Sequence, residues 1–164
     1  MRILGVDPGL EVTGYGLIDT QNGSAHLVEA GVIRSKPRQP LPERLGSVSQ
    51  ALQELLTQRR PDLVVVEDLY SHYKTPRPAI LMGHVRGVVL SVAALKKIPV
   101  VNVLPTHVKK VVVGQGHASK LQVARMVQMR LGLEGRQVPL DVTDALAAAL
   151  AHADRMRKPK EVVG

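Results

Sequence analysis

The sequence predicts an α/β domain: a mixed five-stranded sheet, made of an antiparallel meander of three strands plus two parallel strands, flanked by helices. Three observations lead there. The first 34 residues hold three short apolar runs separated only by turn signals. Two further apolar runs, around Leu63–Val66 and Val100–Val103, each follow a stretch with helical spacing, the pattern of parallel strands joined by crossover helices. No internal repeat or linker interrupts the chain, so residues 1–157 read as one domain and 158–164 as a short basic tail.

The first strand is Ile3-Leu4-Gly5-Val6-Asp7, which stops on an acid followed by Pro8 and Gly9. Residues 14–20 and 26–34 form the second and third strands, with Asn22-Gly23 as the hairpin turn between them. Residues 35–42, with three prolines, form a loop. Leu41, Leu45, Val48, Leu52, Leu55 and Leu56 are spaced for one buried face of a helix over 42–60, which Pro61 ends. Residues 62–67 form a fully buried strand that again terminates on an acid, Glu67. After a polar loop, 79–97 is a helix in which Gly83 and Gly87 flatten one face. Tight packing within the chain is the commoner use of such a face, and a second subunit is the other. Residues 99–103 form the fifth strand, and 105–113 a short helix. Ser119 and Gln122 make a capping box for the next helix, which Gly132 stops. The last helix starts near Asp141.

Composition narrows the chemistry. Phe, Trp and Cys are absent, so the core is aliphatic, and disulfides, thiolate metal sites and cysteine nucleophiles are excluded. No signal peptide or membrane-length apolar run stands out, and the expected location is the cytoplasm. The net charge of +8 is unevenly spread: from Leu69 to Leu133 there are ten Lys and Arg and no Asp or Glu. A basic surface around a few isolated carboxylates suits a polyanionic substrate handled at an acidic, metal-binding centre.

The acids carry the sharpest signal. Asp7 and Glu67 end strands expected to be parallel neighbours, which lie ~4.8 Å apart, so both face one ion if they point to the same side. Asp141 and Asp144, three residues apart, share one face of the last helix. Oxygen donors without Cys or His suit hard cations such as Mg2+ or Mn2+. Two such ions about 3.5–4 Å apart activate a water and stabilise the leaving oxygen of a phosphodiester. Each acid alone also has a structural reading: a side-chain turn at Asp7, an Arg partner for Glu67, helix capping for Asp141 and Asp144. All four at one end of one sheet is the stronger pattern.

Gly5-Val6-Asp7-Pro8-Gly9, Thr13-Gly14-Tyr15-Gly16, Val66-Glu67, Val108-Lys109, Val112-Val113-Gly114, Lys120, Asp141 and Asp144-Ala145-Leu146-Ala147 together resemble the RuvC family of bacterial Holliday-junction resolvases. The resemblance covers nearly the whole chain in order. It implies an RNase H-like fold and a homodimer that binds four-way junction DNA and nicks two strands of like polarity. The nicks would leave 5′-phosphate and 3′-hydroxyl ends, in recombinational repair with RuvA and RuvB as partners. Asp7, Glu67, Asp141 and Asp144 match the family's catalytic, metal-binding acids, which implies two Mg2+ per site with Mn2+ as an alternative. Lys109 and Lys120 match its basic residues near the scissile region, and the adjacent Lys110 joins them as a DNA-binding candidate. The family commonly has a base-stacking Phe soon after the glutamate. This chain has none, and Tyr70, then Tyr73, are the positional substitutes; stacking on such a ring is worth ~1–3 kcal/mol per base.

Two other readings share part of the pattern. Actin-like ATPases also place Gly-Val-Asp-x-Gly after a first strand, but they need a second lobe that 164 residues do not hold. A non-catalytic or RNA-processing binder of the YqgF type would use the same fold, and retention of all four acids argues against it.

Overall fold

The computed structural model describes residues 1–68 and 76–157. The elements run β1 (Arg2–Asp7), β2 (Val12–Gln21), β3 (Ser24–Arg34), α1 (Leu41–Arg59), β4 (Leu63–Glu67), α2 (Pro76–Leu95), β5 (Val100–Val103), α3 (Pro105–Val113), α4 (Lys120–Arg130) and α5 (Leu140–Arg157). The strands form one sheet in the order β3-β2-β1-β4-β5, with β1, β2 and β3 antiparallel and β1, β4 and β5 parallel. This is the mixed five-stranded, helix-flanked arrangement expected from the sequence.

Strand alternation divides the core into two layers. Leu4, Val6, Val64 and Val66 point to one face and pack with Val48 and Leu52 of α1 and Val85 and Val89 of α2. Ile3, Leu63 and Val65 point to the other, against Leu146 and Leu150 of α5 and Val123 and Val127 of α4. Because successive residues serve opposite layers, β1 and β4 are apolar throughout until each reaches its terminal acid.

Element boundaries differ from expectation where local backbone chemistry decides them. The β2–β3 hairpin is tighter than the apolar pattern suggests. Asn22 (φ 50°) and Gly23 (φ 80°) both take left-handed conformations, and pairing continues to Gln21 opposite Ser24. A bulge beside Leu17 and Ile18 leaves Val28 outside the ladder. Helix α1 stops at a left-handed Arg60 (φ 46°) directly before Pro61. The Ser119–Gln122 capping box forms as expected, and Gly132 (φ 65°) follows the end of α4.

Helix α2 corrects two expectations. Residues Arg77–Leu95 have a mean hydropathy of 1.6, so by length and composition alone this helix could cross a membrane, although only 22% of it is buried within the chain. Arg86 in its middle ion-pairs Asp68 at 3.1 Å and donates to Asn102 at 2.8 Å, which ties the helix to the sheet edge. The expected intrachain packing of the Gly83–Gly87 face is also not found at Gly87, where an added Cβ would meet nothing within 4 Å. Ile80 and Leu95 are 58% and 80% exposed. The sequence pattern identified a face built for close approach, and at Gly87 it stands open among the described residues.

Candidate active site

The four acids are placed by register, alternation and a set of glycines. Val6 pairs with Val66 in the parallel β1–β4 ladder, so Asp7 and Glu67 are the next residues on adjacent strands. Each falls in the alternation set that faces α5: Ile3, Gly5, Asp7 on β1 and Leu63, Val65, Glu67 on β4. Helix α5 then crosses β1 and β2 where the strands carry glycine. A Cβ built on Gly5 would lie 1.9 Å from the Ala145 carbonyl oxygen, and one on Gly14 would lie 2.0 Å from that of Asp141. Gly14 is the residue paired with Asp7 across the β1–β2 ladder. The missing side chains therefore let the start of α5 lie directly on the strand ends and bring Asp141 and Asp144 to Asp7.

The turn after Asp7 is held separately. Thr13 Oγ1 donates to the Gly9 carbonyl at 2.8 Å, Ser35 Oγ donates to the Leu10 carbonyl, and Arg44 Nε donates to Ser35 Oγ at 3.0 Å. The backbone N–H of Ser35 donates to the Glu11 carbonyl at 3.2 Å. Thr13 and Ser35 are buried, so these bonds fix the turn away from competing water. The structural reading of Asp7 as a side-chain turn residue is thus unnecessary, because other groups make the turn.

Electrostatics couple Asp7 to the other three acids. The Asp7 carboxyl is pushed up from 3.8 to about 7, first by burial, then by the negative charges of Asp144, Glu67 and Asp141, with Lys120 opposing. Burial and Asp144 push Glu67 up as well, opposed by Lys120 and Lys109. Lys120 Nζ lies 2.6 Å from Asp144 Oδ2. Its ammonium is raised by that bond and by the charges of Asp144, Asp7 and Glu67, against desolvation as the largest single effect. Arg86 pairs with Asp68, the residue after Glu67.

The donor chemistry fits a hard divalent cation. The acids are oxygen donors only, and Asp7 is driven toward its neutral form first by burial and then by the neighbouring carboxylates. Among the described residues, no three Asp, Glu or His side chains are already drawn together as a ready-made cage.

The raised acids carry a stability consequence whose sign is fixed. An acid with a folded pKa of about 7 and an ordinary value of 3.8 favours folding in its protonated form, so stability falls as pH rises through that window. Glu67 acts in the same direction. In EDTA the protein should melt at a lower temperature at pH 8 than at pH 5.5, by the equivalent of about 2 kcal/mol, and Mg2+ should restore much of the loss at pH 8. A melting temperature in EDTA that is equal or higher at pH 8 would contradict this.

The remaining sequence candidates separate. Lys109 acts on Glu67 through its field without touching it. Lys110, one position on, lines a cavity with His107, Arg130 and Arg157 and is not part of the acidic cluster. Tyr70 and Tyr73 lie outside the described residues, as does the 158–164 tail. Sequence reasoning missed the Lys120–Asp144 contact and the roles of Gly5 and Gly14. For the glycines, the available signal was their alternate spacing on strands facing the alanine-rich Ala145–Ala149 segment.

Comparison with known proteins places these features in context. A family model described as crossover junction endodeoxyribonuclease RuvC matches residues 3–152. The RuvC of Rhodopirellula baltica is 47% identical over 148 residues, covering 90% of this chain and 83% of its own. That of Moorella thermoacetica is 40% identical over 168 residues, covering 100% and 99%. Among solved structures, Thermus thermophilus RuvC in complex with a Holliday junction substrate superposes with a TM-score of 0.88 at 35% identity, covering 96% of this chain and 95% of that one.

Proposed function

We propose, from the premise that the chain belongs to the RuvC family of crossover junction endodeoxyribonucleases, that Asp7, Glu67, Asp141 and Asp144 together hold the metal ions with which it cuts Holliday junctions. The protein is a nuclease of RNase H-like fold that resolves such junctions. The observation that carries the site assignment is the convergence of two adjacent parallel strand ends and the first turns of α5 on one face, enforced by Gly5 and Gly14.

Two Mg2+ ions, with Mn2+ as an alternative, would supply the charge that makes a water nucleophilic at neutral pH and stabilises the departing oxygen. The chain's own residues do the rest. Asp7 and Glu67, fixed on strands, define one wall of the site, and Asp141 and Asp144 the other. Asp7, raised first by burial and then by its acidic neighbours, would be held in its ionised form by a bound cation. Lys109 and Lys120 draw the phosphodiester toward a cluster that would otherwise repel it. Tyr70 and Tyr73 are assigned the stacking of bases at the opened junction, in place of the family's Phe. The enzyme should cut a synthetic four-way junction far faster than linear duplex DNA of the same arms, or than RNA. Equal rates on RNA would favour the YqgF-type reading and sink this one.

Symmetric nicking needs two sites, and α2 supplies the surface for a second copy. The helix is strongly apolar, 22% buried, and bare at Gly87. We assign it as the homodimer contact of a cytoplasmic resolvase acting with RuvA and RuvB in recombinational repair. Gly87→Arg tests this cleanly. The position has no neighbour within 4 Å, and replacing a mid-helix glycine stabilises the monomer by up to ~1 kcal/mol. The variant should sediment as a folded monomer and lose paired cutting. A variant that remains dimeric would refute the assignment.

A further inference from the structure

We propose that Lys120 is a resident counter-ion of the acidic centre: it holds Asp144 in the free enzyme and passes to a phosphate of bound DNA as the divalent cation loads. The inference rests on the metal-site reading above and specifies how that site is kept and filled.

Helices α4 and α5 are joined at both ends by ion pairs of the same sequence separation, 24 residues, and the two pairs differ in kind. At the far end, Arg130 grips Asp154 through two bonds of 2.8 Å, with both side chains mostly buried at 24% and 21% exposure. A planar fork on a carboxylate is an architectural fastening. At the acidic end the partner is a lysine with a single 2.6 Å contact, and exposure is lopsided: 66% for Lys120 against 12% for Asp144. The carboxylate is fixed, while the ammonium sits on a flexible stem open to solvent. The backbone beneath it is anchored by the Ser119–Gln122 capping box, so only the side chain needs to move.

The charge arrangement gives that movement a purpose. Lys120 is attracted by Asp7 and Glu67 as well as by its direct partner, so it neutralises part of the charge that a divalent cation would otherwise neutralise. When a cation takes Asp144, one ammonium–carboxylate contact is lost, and a DNA phosphate in the site offers the ammonium a new anion. Metal and DNA binding then strengthen one another, and the coupling is reciprocal.

The test is a Mn2+ titration of the DNA-free protein by calorimetry, comparing wild type with Lys120→Gln, Lys109→Gln and Asp7→Asn. Lys120→Gln should bind Mn2+ about fivefold more tightly, the scale expected for losing one ion-pair competitor. Lys109→Gln, which removes a charge that only acts at a distance, should change affinity by less than about twofold. Asp7→Asn should bind more weakly. Unchanged or weaker binding by Lys120→Gln, with Asp7→Asn still impaired, overturns the counter-ion role alone. An equal gain in Lys109→Gln also overturns it, by showing a general field effect. No Mn2+ binding by any form, or normal binding by Asp7→Asn, removes the metal-site reading itself. A second readout is amine labelling of Lys120 in wild type, which should rise several-fold on adding Mn2+; no rise overturns the proposed release.

Discussion

Asp7→Asn should leave four-way junction binding close to wild type while reducing cleavage by about 10³-fold or more. The substitution keeps the shape of the side chain and removes the charge, at the point where β1 meets α5 and where Asp144, Glu67 and Asp141 all exert their fields. On the proposed reading DNA binding rests on the basic surface, which the change does not touch. A second effect runs against intuition: the metal-free variant should be more stable than wild type at pH 8. Asp7 is raised to about 7 in the folded protein, so its ionised form is disfavoured by folding, and an amide avoids that cost. Junction cleavage by Asp7→Asn at a normal rate with Mg2+ would show that the chemistry lies elsewhere.

Gly14→Ala should be nearly as damaging to cutting, for a mechanical reason. Its Cβ would lie 2.0 Å from the Asp141 carbonyl oxygen, a backbone atom that cannot swing aside, so the start of α5 must lift from β2. Overpacking of this kind costs about 1–3 kcal/mol, and a displacement near 1 Å at a reacting centre costs about 10²-fold in rate. Gly16→Ala is the informative comparison. The atoms nearest its Cβ belong to the Leu146 side chain, at 2.3 and 2.4 Å, and a side chain has rotamers through which to yield. Melting temperature and cleavage rate should both fall more in Gly14→Ala than in Gly16→Ala. The reverse order would mean that α5 is not positioned by its closeness to the strand at Gly14.

The sheet order was legible because its determinants are local. Apolar runs ended by Asp7-Pro8 and Glu67, the Asn22-Gly23 turn and the intervening helix of leucines specify strands, hairpin and crossover almost independently of the rest. The convergence of the four acids followed from that order, since α5 had to return over the strands that end in acid. What escaped was relational. Whether the Gly83–Gly87 face of α2 is covered depends on what lies opposite it, and the mean hydropathy of Arg77–Leu95 is high although Arg86 interrupts its apolar run. The Lys120–Asp144 contact joins residues 24 apart through the parallel packing of α4 on α5, which no periodicity announces. The separation of Lys109 from Lys110 is a matter of helix rotation, about 100° per residue, and adjacent lysines in a sequence give no hint of which one faces the site.

If Asp7, Glu67, Asp141 and Asp144 operate as one metal-holding unit, their substitutions are non-additive. Cleavage of a four-way junction in Mg2+ would be compared for Asp7→Asn, Asp144→Asn and the double variant, with an EDTA control. Each single change should remove nearly all activity, the double should be no slower than either single, and EDTA should abolish the wild-type rate. Two losses that multiply in the double variant, or cutting that survives EDTA, would contradict it.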